Sequence, residues 1–393
     1  MPELDSRRLF IIGIGGSGMS AYALLAHSWG AEVAGWDRNE TPYLEAVREA
    51  GIPVAISDEP ELPEGGEVFV SSAYRYPGGS RADLLSELVS LRRSLVVAGA
   101  HGKTTTAAMI AFCLDGLGHD PAFVIGGMVP QLGGNVRAGS GWLVVEGDES
   151  DRTIERLRPE IAVVTNVDFD HHTTFASSAE LEELFERWLS EVPQVVRGEQ
   201  LPPVDFALAV PGEHNRRNAA CALAALELLG ASRAEAAPVL AQFEGVARRF
   251  EPRGEAAGVS VWDEYAHHPA EVAAALAAAR ESAGGRVLTV FQPHLYSRTL
   301  HFAPDFARAL AGADAAAVMD VYGAREEPVE GVTGKLVVDA LAEVRPGMDI
   351  GWTPDHAAAA AFLARRARAG DLVLTVGAGD VDLVGTRVLE LLG

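Results

Sequence analysis

Ser94-Leu95-Val96-Val97-Ala98-Gly99-Ala100-His101-Gly102-Lys103-Thr104-Thr105-Thr106 passes from an apolar run through a glycine turn into hydroxyl residues. Residues 94–98 read as a short buried strand and residues 104–117 as a helix with an apolar face, stopped at Gly118. Glycines let successive backbone N–H groups close around an anion, and the helix N-terminus adds partial positive charge. Of the 32 Lys and Arg residues only Lys103 and Lys335 are lysine. A chain that otherwise uses arginine thus keeps a slim point charge where the loop meets the helix, as phosphate chemistry demands. Thr104, the hydroxyl after the lysine, is the expected Mg²⁺ ligand. The spacing Gly-x-x-Gly-Lys-Thr is two residues shorter than the common phosphate loop. A solvated lysine on a glycine turn is the plainer alternative, and the strand–loop–helix context argues against it.

Upstream, Arg7-Arg8 precedes an uncharged stretch, 9–31, that mimics an export signal or membrane span. Its five glycines and interspersed serines fit better with a strand at 9–14, a glycine turn and a helix at about 18–29. A second strand, 32–36, ends at Asp37 and completes a βαβ pattern. Gly13-x-Gly15-Gly16-x-Gly18 resembles a dinucleotide fingerprint, but a site for any nucleotide or diphosphate fits equally well. Another strand, 68–71, ends in a polar stretch beginning at Ser71. Alternating strands and helices of this kind predict parallel sheets covered on both faces.

Two further apolar runs end in chemically loaded residues. Residues 141–145 lead into Glu146-Gly147-Asp148-Glu149-Ser150-Asp151, and 161–165 into Asn166-Val167-Asp168-Phe169-Asp170-His171-His172. Ligands of open α/β sheets gather at the carboxyl ends of strands, so neighbouring strands would bring Lys103, Glu146 and His171 together around a magnesium nucleotide. Asp148, Glu149 and Asp151 read as caps of the next helix. His171 as a ligand and as an ordinary loop histidine remain equal alternatives. Asn215 and Asn218, ahead of a helix at 220–229, offer paired donors and acceptors suited to an adenine edge, or a helix cap.

The last third repeats the pattern. Strands at 259–262, 286–291, 315–319 and 372–376 end in Asp263-Glu264-Tyr265-Ala266-His267-His268-Pro269, in His294 to Arg298, in Asp320-Val321-Tyr322 and in Gly377-Ala378-Gly379-Asp380. This predicts a third compact α/β domain.

Composition narrows the class. The chain has 393 residues, enough for two or three domains, and a formal net charge of −23. Nucleic acid and anionic membrane surfaces are therefore poor partners, whereas small anionic substrates are compatible where local cations and a metal offset the field. Cys113 and Cys221, both in Ala/Leu-rich helical patterns, read as buried thiols in a reducing, cytoplasmic setting.

Residues 13–19, 99–106, 146–151, 165–171 and 212–218, then Arg248-Arg249-Phe250, 263–269 and 322–332, occur in the order seen in Mur ligases, and the chain resembles that family from about residue 7 to 385. The resemblance implies three α/β domains: a Rossmann-like UDP-binding domain (1–93), a P-loop ATPase-type domain (94–245) and a Rossmann-like C-terminal domain (246–393). It implies ATP-dependent ligation of L-alanine to the lactoyl carboxylate of UDP-N-acetylmuramate through an acyl phosphate, in peptidoglycan precursor synthesis. The alternatives are attachment of a recycled tripeptide to the same sugar nucleotide, and a non-catalytic nucleotide-binding relative. Monomer and homodimer both stay open.

By the same resemblance Gly15, Gly16, Ser17, Gly18 and Ser71 would hold the sugar nucleotide. Gly99, His101, Gly102, Lys103, Thr104 and Thr105 would wrap the ATP phosphates, with Mg²⁺ on Thr104, Glu146 and His171. Asn215 and Asn218 would read adenine, and Arg249 and Asp263 would close over phosphate and ribose. His294 and Arg298 would orient the sugar nucleotide, with His267 or His268 nearby. Three features depart from the family: a short segment between Val192 and Pro211, Leu295 where an arginine is usual, and no lysine between 103 and 335 to form a metal-binding carbamate.

Overall fold

Three parallel-dominated sheets organise the chain, and the computed structural model describes residues 4–169, 174–324 and 326–393. The first sheet holds β1 (Arg8–Ile12), β2 (Glu32–Asp37), β3 (Val54–Ile56), β4 (Glu67–Val70) and β5 (Gly79–Ser80) in the order β3-β2-β1-β4-β5, all parallel. The second holds β6 (Ser94–Ala98), β7 (Ala122–Val129), β8 (Gly134–Ala138), β9 (Leu143–Glu146), β10 (Ile161–Val164) and β11 (Gln194–Arg197) in the order β11-β10-β6-β9-β7-β8. Only β8 runs antiparallel there, as a hairpin with β7 on the edge.

The third sheet holds β12 (Glu251–Ala256), β13 (Val259–Glu264), β14 (Val287–Phe291), β15 (Ala315–Val318), β16 (Asp349–Trp352) and β17 (Leu372–Val376), ordered β12-β13-β17-β14-β15-β16. Here too a single edge strand, β12, is antiparallel.

The central strands are covered on both faces, which is why they read as unbroken apolar runs rather than alternating ones. Leu95, Val96, Val97 and Ala98 of β6 are all fully buried, and each such Val or Leu contributes about 1.5–3 kcal/mol relative to exposure. One continuous apolar core joins the first two sheets, from Leu9 and Ile11 through Val96 and Val145 to Trp188. Those sheets accordingly lie in one compact unit, residues 1–207 with 217–243. The third sheet has its own two cores, one around Phe291, Phe306 and Leu374 and the other around Val290, Val373 and Val384, and lies in the second unit.

The elements expected from the sequence are present with shifts at their ends. The largest shift concerns the helix expected at 220–229, which instead starts at Glu213 and runs to Leu228. Asn215 and Asn218 are therefore helical residues rather than a preceding loop. Gly212, with φ +94°, makes the turn into that helix. The segment after β11 is compact: a single 3₁₀ turn, Gly198–Gln200, precedes the chain's passage to the second unit at Leu208.

Candidate active site

Strand order decides what the second sheet can do. β10, β6 and β9 are adjacent, so the residues that follow them share one end of the sheet. Helix Lys103–Gly116 starts directly after the glycine turn that follows β6. Gly99 and Gly102 have φ of +125° and +80°. A Cβ on Gly99 would lie 2.4 Å from Thr165 Oγ1, and one on Gly102 would lie 2.3 Å from Asn218 Oδ1. Only glycine fits either place. The turn is held from β10: His101 N–H donates to Asn166 Oδ1 at 3.0 Å, while Asn166 Nδ2 and Thr165 Oγ1 donate to His101 O at 2.9 and 2.6 Å.

Lys103 leads the helix with its side chain 19% exposed, its ammonium donating to Glu149 Oε1 and Oε2 at 3.0 and 3.2 Å and to Gly99 O. Burial works against its charge, but the carboxylates of Glu149, Asp148 and Glu146 outweigh it and hold the pKa above the usual lysine value. Glu149 is only 1% exposed. It is thus a partner of Lys103, not the helix cap its sequence context suggests. Its two acidic neighbours make local turns rather than caps: Asp148 Oδ1 accepts from Ser150 N at 2.9 Å and Asp151 Oδ1 from Thr153 N at 3.0 Å, while the following 3₁₀ turn, Thr153–Arg156, has Arg152 at its cap position and no side-chain cap. An acidic run offered no signal separating these roles.

Thr104 Oγ1 donates to Glu146 Oε2 at 3.0 Å, and Gly126 N–H donates to Glu146 Oε1. A hydroxyl and a carboxylate oxygen side by side are hard donors of the kind Mg²⁺ takes, with water completing its shell. His171, expected as the third ligand, lies outside the described residues, among which no group of three or more acidic, His or Cys ligands converges. Thr105 is buried in the same first helical turn.

In the first sheet the glycine turn after β1 is closed by Asp37 at the end of β2. Gly15 N–H donates to Asp37 Oδ2 at 2.8 Å, Thr41 Oγ1 donates to Gly15 O at 2.8 Å, and Asp37 Oδ1 accepts from Tyr74 OH at 2.9 Å and Arg38 N at 2.8 Å. In a dinucleotide-binding fold the acidic residue ending this strand takes the ribose hydroxyls. Here its oxygens are occupied by the protein, which weighs against a nicotinamide dinucleotide. Gly16 and Ser17 are exposed at the start of helix Ser17–Ser28, and Gly16 supplies no side-chain cap to it. Ser71, half-buried, pairs through its N–H with Ile12 O at 2.9 Å beside the turn. Gly18 faces Arg81.

The second unit gathers its expected residues unevenly. His267 and His294 lie with ring centroids 5.9 Å apart, His294 stacks on Tyr322 at 5.9 Å and 13°, and Arg298 Nη1 lies 3.4 Å from His294 Nδ1. Burial, reinforced by Arg298, keeps the His267 pKa below the usual histidine value despite Glu271. His268 diverges from this group. Its Nδ1 accepts from Ala270 N at 3.4 Å, capping helix Pro269–Ser282, and its ring packs edge-on against Phe302 at 5.0 Å.

Asp263 also departs from expectation. It is fully buried, accepts from Arg248 Nε at 2.9 Å and from Thr375 Oγ1, and has no surface to offer a ribose. Arg248, with φ +62°, also donates to Gly379 O and Gly377 O at 2.9 and 3.0 Å, tying the loop after β17 to β13. Arg249 instead sits over the Tyr265 ring at 5.0 Å. Asn215 Nδ2 donates to Pro211 O at 2.7 Å within this unit, whereas Asn218 belongs with the first unit beside Gly102. Leu295 has φ +71° at the head of helix Tyr296–Leu310; its N–H donates to Tyr322 O at 3.0 Å.

A glycine turn with its lysine, a Thr–Glu oxygen pair between the helix it opens and the adjoining strand, and two further α/β sheets define a nucleotide-phosphate enzyme of the three-sheet ligase class. Three family profiles match in series: the Mur ligase family catalytic domain at residues 9–93, the Mur ligase middle domain at 97–195 and the Mur ligase glutamate ligase domain at 248–379. The chain belongs to the Mur ligase family. Relatives named UDP-N-acetylmuramate–L-alanine ligase include one from Streptomyces coelicolor, 40% identical over 450 residues and covering 98% of this chain and 97% of its own. One from Kineococcus radiotolerans is 42% identical over 454 residues, with 98% and 96% covered. A solved UDP-N-acetylmuramate–alanine ligase from Thermotoga maritima superposes with TM-score 0.82 at 26% identity over 98% of both chains. A murein peptide ligase from Psychrobacter arcticus shares the fold at TM-score 0.65 and 22% identity, over 99% of both chains.

Proposed function

We propose that this chain joins L-alanine to the lactoyl carboxylate of UDP-N-acetylmuramate, using ATP, in cytoplasmic peptidoglycan precursor synthesis. Residues 1–93 would carry the sugar-nucleotide site and 94–245 the ATP site, with 246–393 as the C-terminal ligase domain. The chemistry rests on one observation above all: Lys103 and Thr104 open the helix that follows β6, and Glu146 ends the adjacent strand β9 against Thr104, so that a nucleotide triphosphate's terminal phosphates can be met by both. The choice of acceptor and amine rests on likeness to the full-length relatives.

A carboxylate does not condense with an amine at neutral pH, because the leaving group would be oxide. Transfer of the γ-phosphoryl group makes an acyl phosphate, whose phosphate leaves when the amine attacks. Lys103 neutralises charge on the phosphoryl oxygens, and the N–H groups of the Gly99–Gly102 turn orient them. Thr104 and Glu146 would hold Mg²⁺, which when bound supplies further charge neutralisation between the two anions. Asn218, against the turn, buttresses it. Gly15, Gly16, Ser17 and Gly18 would present helix N–H groups to the diphosphate of the sugar nucleotide. His294, Arg298 and His267, gathered within the second unit, would offer donors, and Arg298 positive charge, to an anionic group of a substrate.

The deciding measurement is ADP release by the purified protein. It should require UDP-N-acetylmuramate and L-alanine together. Release supported by the tripeptide but not by L-alanine would assign the recycling reaction instead, and no release with any amine would leave a non-catalytic nucleotide binder.

A further inference from the structure

The two nucleotide regions of the first unit are bridged by one side chain that carries no motif. Arg81 opens helix Arg81–Ser90, where Ser80 and Asp83 form a reciprocal cap that fixes the direction in which it leaves the helix. Its guanidinium reaches toward the first sheet on one side. Nη2 donates to Tyr22 OH at 3.3 Å, the group lies 5.7 Å over the Tyr22 ring, and a Cβ on Gly18 would lie 3.2 Å from Nε.

On the other side it meets the acidic run of the second sheet. Nη1 donates to Asp151 Oδ2 at 2.9 Å, with Asp148 Oδ2 4.0 Å away. That run begins at Glu146, on Thr104, and contains Glu149, on Lys103. Arg81 is 24% exposed, so its charge is screened only in part.

We propose that Arg81 is a positioning residue that couples the sugar-nucleotide site to the ATP site. The inference rests on the placement of the diphosphate at the 15–18 turn given above. An anion on that turn lies beside Gly18, whose lack of a side chain leaves the guanidinium within reach. The same guanidinium offsets Asp148 and Asp151, whose negative field otherwise falls on the Lys103 site. Arg81 therefore lowers the electrostatic cost of holding two polyphosphates on one unit, and the linkage is reciprocal: whatever either ligand gains from the other through Arg81 the other gains equally. A lysine keeps the charge but not the fork that spans Tyr22 and Asp151.

The test is calorimetric binding to the full chain of UDP-N-acetylmuramate and a non-hydrolysable ATP analogue, each alone and in the presence of the other. Wild type should bind one ligand about five-fold or more tightly when the other is present. Arg81→Ala should bring that ratio to one and weaken both ligands, and Arg81→Lys should restore part of each affinity without the full ratio. Asp151→Asn, which frees one arm of the fork without touching either ligand, should reduce the ratio while the sugar nucleotide still binds. Thermal unfolding of each variant separates loss of coupling from loss of fold. A ratio that survives in Arg81→Ala, or loss confined to one ligand, overturns the inference. Failure of wild type to bind either ligand overturns the functional reading beneath it instead.

Discussion

Glu149, 1% exposed, closes on Lys103 with both carboxylate oxygens, at 3.0 and 3.2 Å from Nζ. Lys103 therefore has a dedicated carboxylate that fixes where its ammonium sits. Lys103→Ala should lower kcat by about 10²–10³-fold or more, as for loss of one preorganised electrostatic donor. It should also destabilise the first unit, because a buried carboxylate loses its partner. The loss should fall between the roughly 1 kcal/mol of an exposed pair and the roughly 3–5 kcal/mol of a buried one. Adding Glu149→Gln to Lys103→Ala should recover stability in urea titrations but not turnover. Additive destabilisation by the two changes would contradict this pairing.

Gly102→Ala should damage ATP binding through the backbone rather than through charge. Its φ of +80° disfavours any side chain, and the added Cβ would lie 2.3 Å from Asn218 Oδ1. Strain of roughly 1–3 kcal/mol follows, read as about a ten-fold weaker affinity for an ATP analogue with little change for UDP-N-acetylmuramate. Asn218→Ala in the same chain should relieve the steric part. No relief would place the whole effect in φ.

Much of the fold and of the glycine turn was legible in the sequence because their signals are local. The glycine turn, Lys103 and Thr104 are contiguous, and the strands before them are apolar on both faces. The antiparallel edge strands β8 and β12 gave no comparable signal, since Gly134–Ala138 and Glu251–Ala256 are polar and half-exposed. Partners distant in sequence were the other blind spot. Nothing local distinguishes Glu149 from Asp148, Arg248 from Arg249 or His267 from His268. Each pair is separated only by alternation of direction and by what the third dimension brings opposite. Residues 263–269 show the consequence: Asp263 points into the core toward Arg248 and Thr375, while His267 points to His294.

Asp263→Asn therefore tests a structural role. Arg248 would lose its charged acceptor, costing about 1.5–3 kcal/mol as for a hydrogen bond to a charged group. The expected outcome is a lower Tm with KM for ATP unchanged at temperatures well below unfolding. An unchanged Tm with a raised KM for ATP would restore Asp263 to the ligand.

His267→Ala and His268→Ala should separate in the same way. Loss of His267 removes a ring beside His294 and should reduce kcat or raise KM for the acceptor. Loss of His268 removes a helix cap, worth about 1 kcal/mol, and should appear in the Tm. Equal kinetic defects with unchanged stability would overturn this division.

Glu264 gives the second unit a pH dependence whose sign can be worked out. It is 7% exposed, and burial pushes its pKa up to about 7, opposed by Arg249 and supported by Glu271 and Asp263. In the unfolded chain an ordinary glutamate titrates near 4.3. Between those two values the native state binds more protons than the unfolded one, so stability falls as pH rises and levels off above the folded pKa. The total is on the order of 4 kcal/mol at most. Glu264→Gln keeps the acceptor for Ala266 N–H, which lies 3.0 Å from Oε1, and removes the charge. Urea titrations at pH 5, 7 and 8.5 should show wild type losing stability relative to Glu264→Gln across the series, with the two closest at pH 5. A difference that stays constant with pH would show that the Glu264 carboxylate is not held near neutrality in the folded protein.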